Sequence, residues 1–460
     1  MKTIKLGKTA DGKEIGLPLR LANRHGLVCG ATGTGKTVSL QTMAEQFSKA
    51  GVPVFAADIK GDLSGIAKPM PTVFWDVFGQ HGQPIKTSIQ EMGGLVLSNM
   101  FNANPTQSGT IEIALKRARD QHDYMLGLDD LRWQLQDMGE ERETVCSTYG
   151  NVTASSINAI QRNIMALESQ DGGALFGEPP FDIEQFMQTT DGLGNINLLH
   201  ADQLMHTPKL YGAIIFWLLN ELLKRLPEVG DADKPKLVFF FDEAHLLFRD
   251  APKHLIEAVE RVVRLIRSKG VGVYFVTQSP SDVPDRILAQ LGNRIQHALR
   301  AYTPKEQRLV KAAASAFRPN PDIDVQASVL EMGVGEALVS TLLDDGVPMP
   351  VERVKMNLPT SQVGPITADE RKAMLKLSVD VGMEQAHFNF RNRMRVKDNL
   401  KPLEPIQDEE KHSADVDEVL AQFEAEIRKS PDVGKPSNNL RDGLIMLVVA
   451  GLLFWLAQLV

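Results

Sequence analysis

The chain is poor in cysteine and has no excess of positive charge. Cys29 and Cys146 are the only two cysteines among 460 residues, too few for a framework of disulfide bonds, and we expect reduced structural thiols in a cytosolic protein. The 50 Lys and Arg residues are outnumbered by 58 Asp and Glu residues, which gives a net charge of −8. This balance excludes a surface covered in positive charge, but it leaves room for a local basic channel.

Two other features are missing. Residues 1–5 carry no apolar stretch of the length that a signal peptide needs, and no internal repeat is present. The remaining composition, 43% hydrophobic and 23% charged, is that of an ordinary globular protein with an ample core. The length fits two or three domains, or one elaborated α/β domain.

The most informative segment is a glycine-rich loop with the pattern G-x-x-x-x-G-K-[ST]. It consists of Gly30, Ala31, Thr32, Gly33, Thr34, Gly35, Lys36 and Thr37. An apolar strand precedes it and a helical pattern follows, which is the context that this phosphate-binding motif requires. The glycines let the backbone wrap a phosphate chain, and the helix start adds its positive dipole end. We expect Lys36 to reach the β- and γ-phosphates of ATP, and Thr37 to ligate Mg²⁺.

A buried strand that ends in two acidic residues supplies a second nucleotide motif. Leu237–Phe241 leads directly into Asp242 and Glu243. Asp242 is expected to hold the Mg²⁺ shell, and Glu243 to polarise the water that attacks the γ-phosphate. A carboxylate there predicts a hydrolase and disfavours a small-molecule kinase, whose acceptor supplies the nucleophile. The four letters from Asp242 also match DEAH-box helicases, but their further motifs are missing, and His245 is interpreted as structural.

Polar residues at the ends of two other strands are further candidates. Gln278 follows the apolar segment 271–276 and is expected to position the attacking water or to sense the γ-phosphate. Asp58 and Lys60 end another strand on the same edge. A role for these two in coupling the nucleotide state to a neighbour or ligand is a weaker expectation.

Arginines spaced three apart lie between these motifs, at Arg261, Arg264 and Arg267. They share one helix face, which is either solvated or functional. In the functional interpretation Arg267, near the helix end, reaches the γ-phosphate of a neighbouring subunit and stabilises the transition state. Arg294 is the alternative.

Continuous apolar segments separated by helical stretches predict the fold class. The strands are expected at 26–29, 52–57, 196–199, 237–241, 271–276 and 295–299. Strands that are apolar throughout indicate an α/β fold, a parallel sheet with helices on both faces. Hairpins are predicted at 5–20, with Asp11-Gly12 as the turn, and at 336–355.

Composition divides the chain into six predicted parts. The stretch after the first strands is mostly helical and looks like an insertion, and Thr367 with Glu370 fits a capping box that starts a later helix. The parts are the hairpin and phosphate-loop half of the core (1–83), the helical insertion (84–190), the second half of the core (191–360), a helical extension (361–394), a charged linker (395–442) and an apolar C-terminal helix (443–460).

The apolar C-terminal segment, 443–460, allows two interpretations. As a helix rising about 1.5 Å per residue, it falls a little short of a hydrocarbon core of about 30 Å. It is apolar on every side, which excludes an ordinary amphipathic surface helix. It either anchors the protein to the cytoplasmic membrane, with the ATPase domain in the cytoplasm, or is buried at the centre of an oligomer. Basic residues before it favour the anchor.

Four segments together resemble the bacterial HerA-like helicase family, and most closely its branch of stand-alone ATPases. They are the phosphate loop and residues 57–64, 241–248 and 266–278. The similarity covers about residues 1–360, including the stretches 91–93 and 149–152. The family's nucleotide-site positions fall on Lys36, Thr37, Asp242, Glu243 and Gln278.

The resemblance implies a RecA-like core of the HerA–FtsK class. It also implies a hexameric ring that moves double-stranded DNA through its pore by ATP hydrolysis, with Arg267 at the position of the family's arginine finger. The N-terminal barrel of other HerA proteins is not expected, because the phosphate loop already starts at Gly30.

Two functions are therefore expected. One is a ring-forming, DNA-translocating ATPase or helicase, favoured by the family core and by basic residues at Lys116, Arg117 and Arg119. The other is a membrane-tethered regulatory ATPase that acts on a protein partner without moving DNA, favoured by the apolar tail, the acidic linker and the missing barrel.

Overall fold

A computed structural model describes residues 3–178, 181–230, 232–249, 251 and 253–375. Its strands are β1 (Thr3–Lys8), β2 (Glu14–Pro18), β3 (Gly26–Cys29), β4 (Val54–Asp58), β5 (Thr72–Asp76), β6 (Gln83–Pro84), β7 (Thr189–Thr190), β8 (Leu193–Gly194), β9 (Ile196–His200), β10 (Leu237–Phe241), β11 (Val271–Thr277), β12 (Asn293–His297), β13 (Glu336–Ser340) and β14 (Glu352–Met356).

The α-helices alternate with strands mainly between β9 and β13, whereas α2 to α6 follow one another directly. They are α1 (Lys36–Lys49), α2 (Ile89–Met100), α3 (Pro105–Asp120), α4 (Leu128–Glu140), α5 (Arg142–Thr148), α6 (Ala154–Glu168), α7 (Pro208–Arg225), α8 (His245–Phe248), α9 (Lys253–Ile266), α10 (Asp285–Leu288), α11 (Pro304–Ser315) and α12 (Val325–Glu331). The stretch predicted as a helical insertion contains α2 to α6.

One 12-stranded sheet, in the order β2-β1-β14-β13-β12-β3-β11-β10-β4-β9-β5-β6, organises the described residues. From β12 to β6 all neighbouring strands pair in parallel, whereas β13, β14, β1 and β2 extend the sheet with antiparallel pairs. The predicted parallel α/β sheet is confirmed. Strand β3 lies between β12 and β11 and is parallel to both. The phosphate loop, which follows β3, therefore begins at the edge of the sheet where these parallel strands end.

Strand β10 shows why a central strand of this sheet can be apolar at every position. Its side chains alternate between the two faces of the sheet, and both faces are buried. Phe239 stacks on Phe55 with 4.4 Å between ring centroids, on the face covered by α2 to α7 and α9. Phe240 lies on the other face, 6.3 Å from the ring of Phe47 in α1.

Both predicted hairpins form, as the pairs β1–β2 and β13–β14. The capping box also forms, since the Thr367 N–H donates to Glu370 at 2.9 Å and the Glu370 N–H to Thr367 at 3.3 Å. The strand predicted at 295–299 ends two residues earlier, at His297. The reason is that the Ala298 carbonyl accepts from the phosphate loop, at Ala31, and the Leu299 N–H donates to Val329.

The predicted localisation, a cytoplasmic ATPase attached to the membrane, requires correction. No helix within the described ranges combines the length and the apolar character that crossing a bilayer demands. The apolar segment 443–460 lies outside the described residues. The six-part division of the chain stays a prediction.

Candidate nucleotide site

The phosphate loop connects β3 to α1 in a conformation that its glycines permit. Gly33 has a φ of 78° and Gly35 a φ of 111°, in the left-handed region where a side chain is costly. A Cβ on Gly35 would also lie 3.4 Å from the backbone of Gly335. The Gly335 N–H donates to the Thr34 carbonyl at 3.1 Å, so the turn before β13 supports the loop from the side.

Lys36 lies inside this loop. Its buried Nζ donates to the carbonyl of Gly30 at 2.7 Å and to that of Ala31 at 3.1 Å. Burial lowers the pKa of Lys36, while the nearby charges of Glu243 and Asp242 oppose that shift. A buried ammonium that is bonded only to neutral carbonyls fits a site that receives an anion.

Asp242 follows β10 at the same edge of the sheet. One carboxylate oxygen, Oδ1, accepts from the Glu243 N–H at 2.9 Å, and the buried Oδ2 has no hydrogen-bond partner among the described residues. Burial and then the charge of Glu243 raise the pKa of Asp242 to about 7. The unsatisfied oxygen fits a ligand of a Mg²⁺ shell, which needs one or two protein oxygens besides phosphate and water. Thr37 lies nearby, with its Oγ1 3.4 Å from Oδ2 of Asp62.

Glu243 is held in a strained backbone conformation, with a φ of 47°. Its side chain is 5% exposed. Lys60 forms an ion pair with Oε1, and Nδ1 of His245 lies 3.1 Å from Oε2. Burial raises the pKa of Glu243, but the Lys60 hydrogen bond and charge outweigh it, so the pKa lies below its ordinary value. His245, interpreted from the sequence as structural, thus touches the candidate base.

Gln278 lies beside the start of the phosphate loop. Thr277 pairs with Cys29 at the last position of the β11–β3 ladder, and the Gly30 N–H donates to the Thr277 carbonyl at 3.3 Å. Asp282 fixes the turn that follows, accepting from the Thr277 hydroxyl at 2.7 Å. The Gln278 side chain itself is exposed.

Arg267 lies at the other edge of the sheet. It precedes Val271 at the amino end of β11, and seven residues of strand at about 3.3 Å each separate the two edges. The Asn23 side chain donates to the Arg267 carbonyl at 3.3 Å. The alternative, Arg294, donates to the carbonyls of Ala316 and Leu288 at 3.2 and 3.5 Å. Neither arginine joins the phosphate loop of its own chain.

His297 is a site neighbour that the sequence prediction missed. It lies buried at the end of β12, with Nε2 3.0 Å from the Ser39 hydroxyl of α1 and Nδ1 2.9 Å from the Glu336 carbonyl. Burial lowers the pKa of His297 to about 4, so the ring is neutral at physiological pH. The available signal was a histidine in the predicted strand 295–299, followed directly by the apolar Ala298 and Leu299.

The basic residues of α3 do not form a free positive surface. Arg117 is buried and forms ion pairs with Asp137 at 2.5 Å and Glu141 at 2.8 Å. Lys116 forms an ion pair with Asp120 at 2.9 Å. These partners neutralise two of the three residues that favoured DNA binding in the sequence.

Comparison with solved structures places the fold. The plasmid coupling protein TrwB in complex with ADP and Mg²⁺ superposes with a TM-score of 0.58 and 16% identity, over 79% of this chain and 91% of that one. VirB4 of Thermoanaerobacter pseudethanolicus gives a TM-score of 0.56 and 14% identity, over 78% and 97%. At these identities the likeness establishes the RecA-like fold of P-loop NTPases.

Sequence comparison gives the family. The DNA double-strand break repair helicase HerA of Sulfurisphaera tokodaii is 21% identical over 357 residues, which cover 73% of this chain and 66% of that protein. The family model described as the helicase HerA-like C-terminal region matches residues 3–70 and 67–418. The finer assignment to a bacterial stand-alone branch stays a prediction. The chain belongs to the HerA-like helicase family of P-loop ATPases.

Proposed function

We propose that this protein hydrolyses ATP in a Mg²⁺-dependent reaction and uses the energy to move double-stranded DNA through a hexameric ring. The observation that carries the proposal is the convergence of three groups at one edge of the sheet. Lys36 is buried inside the phosphate loop, Asp242 presents an unsatisfied oxygen, and Glu243 lies next to it. The phosphates of a bound nucleotide would supply negative charge to Lys36, and the accompanying metal ion would supply positive charge to Asp242.

Each group has a distinct role in the proposed reaction. Lys36 and the loop N–H groups hold the β- and γ-phosphates, and Glu243 orients the attacking water. Thr37 and Asp242 would hold Mg²⁺, which when bound neutralises charge on the phosphates. Gln278, beside the start of the loop, contacts the γ-phosphate or the water. The metal and the nucleotide seen in the TrwB complex support this assignment by analogy of fold.

The ring is supported by the position of Arg267. A cation at the amino edge cannot reach the γ-phosphate held at the carboxyl edge of the same sheet. A neighbouring subunit in a head-to-tail ring brings one edge of its sheet against the other edge of the next, which is the arrangement an arginine finger requires. The HerA relative is a DNA double-strand break repair helicase, which supports duplex DNA as the polymer.

The proposal is tested by ATP hydrolysis of the full-length protein across a titration of duplex DNA at low salt. We expect stimulation of several-fold, weakening as salt rises because phosphate contacts release counterions. Glu243→Gln serves as the blank, since it should bind nucleotide and hydrolyse none. Hydrolysis that is robust but unchanged by DNA would contradict translocation and indicate an ATPase that acts on a protein partner.

A further inference from the structure

Lys60 is a charged residue at the candidate site that the proposed reaction does not use. It lies in the loop after β4, and its Nζ forms an ion pair with Oε1 of Glu243. The two side chains differ in solvent exposure: that of Lys60 is 41% exposed, whereas that of Glu243 is 5% exposed. His245 lies 3.1 Å from the other carboxylate oxygen. Nζ of Lys60 and Nδ1 of His245 are therefore the near neighbours of the two carboxylate oxygens, which have no other hydrogen-bond partner among the described residues.

This pairing matters for the chemistry of Glu243. A carboxylate orients or activates water through a free lone pair, and an ammonium that is bonded to it occupies that lone pair and weakens it as a base. The Glu243 backbone is fixed, because its N–H donates to Asp242 at 2.9 Å and its φ is 47°. The mobile partner is Lys60, a point charge on a flexible stem.

A second anion within reach would compete for Lys60. Lys36 is the residue expected to bind the γ-phosphate. The positive charge of Lys60 helps to lower the pKa of Lys36. Lys60 follows β4 and the phosphate loop follows β3, and both strands end at the carboxyl edge of the same parallel sheet, so a γ-phosphate held by Lys36 shares that edge with Lys60. Gly61, the next residue, has a φ of 73° and open space around its Cα, so the loop that carries Lys60 is not closed in by neighbours at that point.

We propose that Glu243 and the γ-phosphate of ATP compete for Lys60, so that Lys60 masks the base in the nucleotide-free site and unmasks it when a nucleoside triphosphate binds. This inference rests on the proposed ATP hydrolysis and adds its regulation. A diphosphate lacks the competing group, so ADP leaves Glu243 masked. Lys60 is accordingly a positioning residue that makes the site respond to the γ-phosphate.

The test is a double-mutant cycle on nucleotide binding by the full-length protein, with a non-hydrolysable ATP analogue and with ADP as probes. Glu243→Gln should bind the analogue several-fold more tightly than the wild type, because Lys60 no longer has a competing carboxylate partner. Its affinity for ADP should stay unchanged. In the Lys60→Ala background, the same Glu243→Gln change should give no gain, whereas Lys60→Arg should restore it. Lys68→Ala is the matched control, since Lys68 is similarly exposed and pairs with Glu370.

The outcomes separate the two proposals. A gain of equal size with and without Lys60 would overturn the competition, because it would then reflect only the loss of a negative charge near the phosphate. A cycle with no gain in either background would overturn it as well. Failure of the wild type to bind the analogue, or hydrolysis by Glu243→Gln equal to that of the wild type, would instead overturn the proposed ATPase mechanism.

Discussion

Lys36 illustrates how a single residue prepares the phosphate loop for an anion. Its ammonium is buried and bonded to the carbonyls of Gly30 and Ala31, neutral acceptors that a phosphate oxygen can replace. We expect Lys36→Ala to lower the rate of ATP hydrolysis by about 100-fold or more, the usual cost of losing a transition-state contact. Lys49→Ala, at the far end of the same helix, should change it by less than about two-fold. Similar losses in both variants would indicate damage to the helix.

The backbone of Glu243 is strained, and the free-energy cost of that strain can be measured separately from the role of its side chain in hydrolysis. A non-glycine residue at a φ of 47° costs about 1–2 kcal/mol, which glycine avoids. Glu243→Gly should therefore be about 1 kcal/mol more stable than Glu243→Ala, although both should be inactive. Because both variants lose the same ion pairs, chemical denaturation of the two isolates the backbone term. Equal free energies of unfolding would mean that the backbone relaxes when the side chain is removed.

At the scale of elements, α1 is tied to a segment from the far end of the described chain. Residues 360–371, here called the C-terminal strap, bond to the C-terminal half of α1 and to the loop after β4. Glu45 of α1 accepts from the N–H groups of Thr360 at 3.0 Å and Ser361 at 2.7 Å, and from both hydroxyls. On the other side, the Gly65 N–H donates to the Gly364 carbonyl at 3.0 Å. The strap thus connects the phosphate-loop helix to the loop that carries Lys60.

The strap gives the protein a pH-dependent stability. Burial alone would raise the pKa of Glu45, but the hydrogen bonds from Ser361 and Thr360 bring it down to about 2. A depressed carboxyl pKa contributes stability above the unfolded value of 4.5, and that stability is lost as the pH falls toward about 2. At neutral pH, Glu45→Gln should lower the free energy of unfolding by about 2 kcal/mol, the worth of charged hydrogen bonds.

Denaturation at several pH values checks this expectation. The difference between the wild type and Glu45→Gln should be constant above pH 4.5 and narrow below it, because the wild-type carboxyl then takes up a proton. A difference that does not change with pH would show that the variant fails for a reason other than charge, such as packing. Lys49 also pairs with Glu45, at 3.1 Å.

The sequence predicts elements whose causes are local. The strand Leu237–Phe241, the phosphate loop and the capping box of Thr367 depend on neighbouring residues, and the structure has them where the pattern places them. The pairing of Lys60 with Glu243 joins residues far apart in the chain. It depends on β4 lying next to β10, and no periodicity within either segment specifies that order. The strap escaped prediction for the same reason.

At the scale of the whole molecule, one sheet separates the two halves of the proposed reaction. Glu243 follows β10 at the carboxyl edge and Arg267 precedes β11 at the amino edge, although these strands are direct neighbours. In the proposed mechanism a single chain completes no active site, so hydrolysis should depend on assembly. We expect a species of six times the chain mass of 50.7 kDa in sedimentation with nucleotide, and specific activity that falls on dilution.

Mixing two inactive variants tests the shared site directly. Glu243→Gln lacks the base but keeps Arg267, and Arg267→Ala lacks the arginine but keeps the base. In a head-to-tail ring assembled from both variants, a site is complete wherever an Arg267→Ala subunit receives the arginine of a Glu243→Gln neighbour. Random mixing gives this pairing at about a quarter of the interfaces. Hydrolysis should therefore reappear in the mixture, whereas Arg264→Ala, in the last turn of α9 just before Arg267, should be active alone. If Arg267 acted within its own chain, the mixture would stay as inactive as its parts, because neither subunit then carries a complete site.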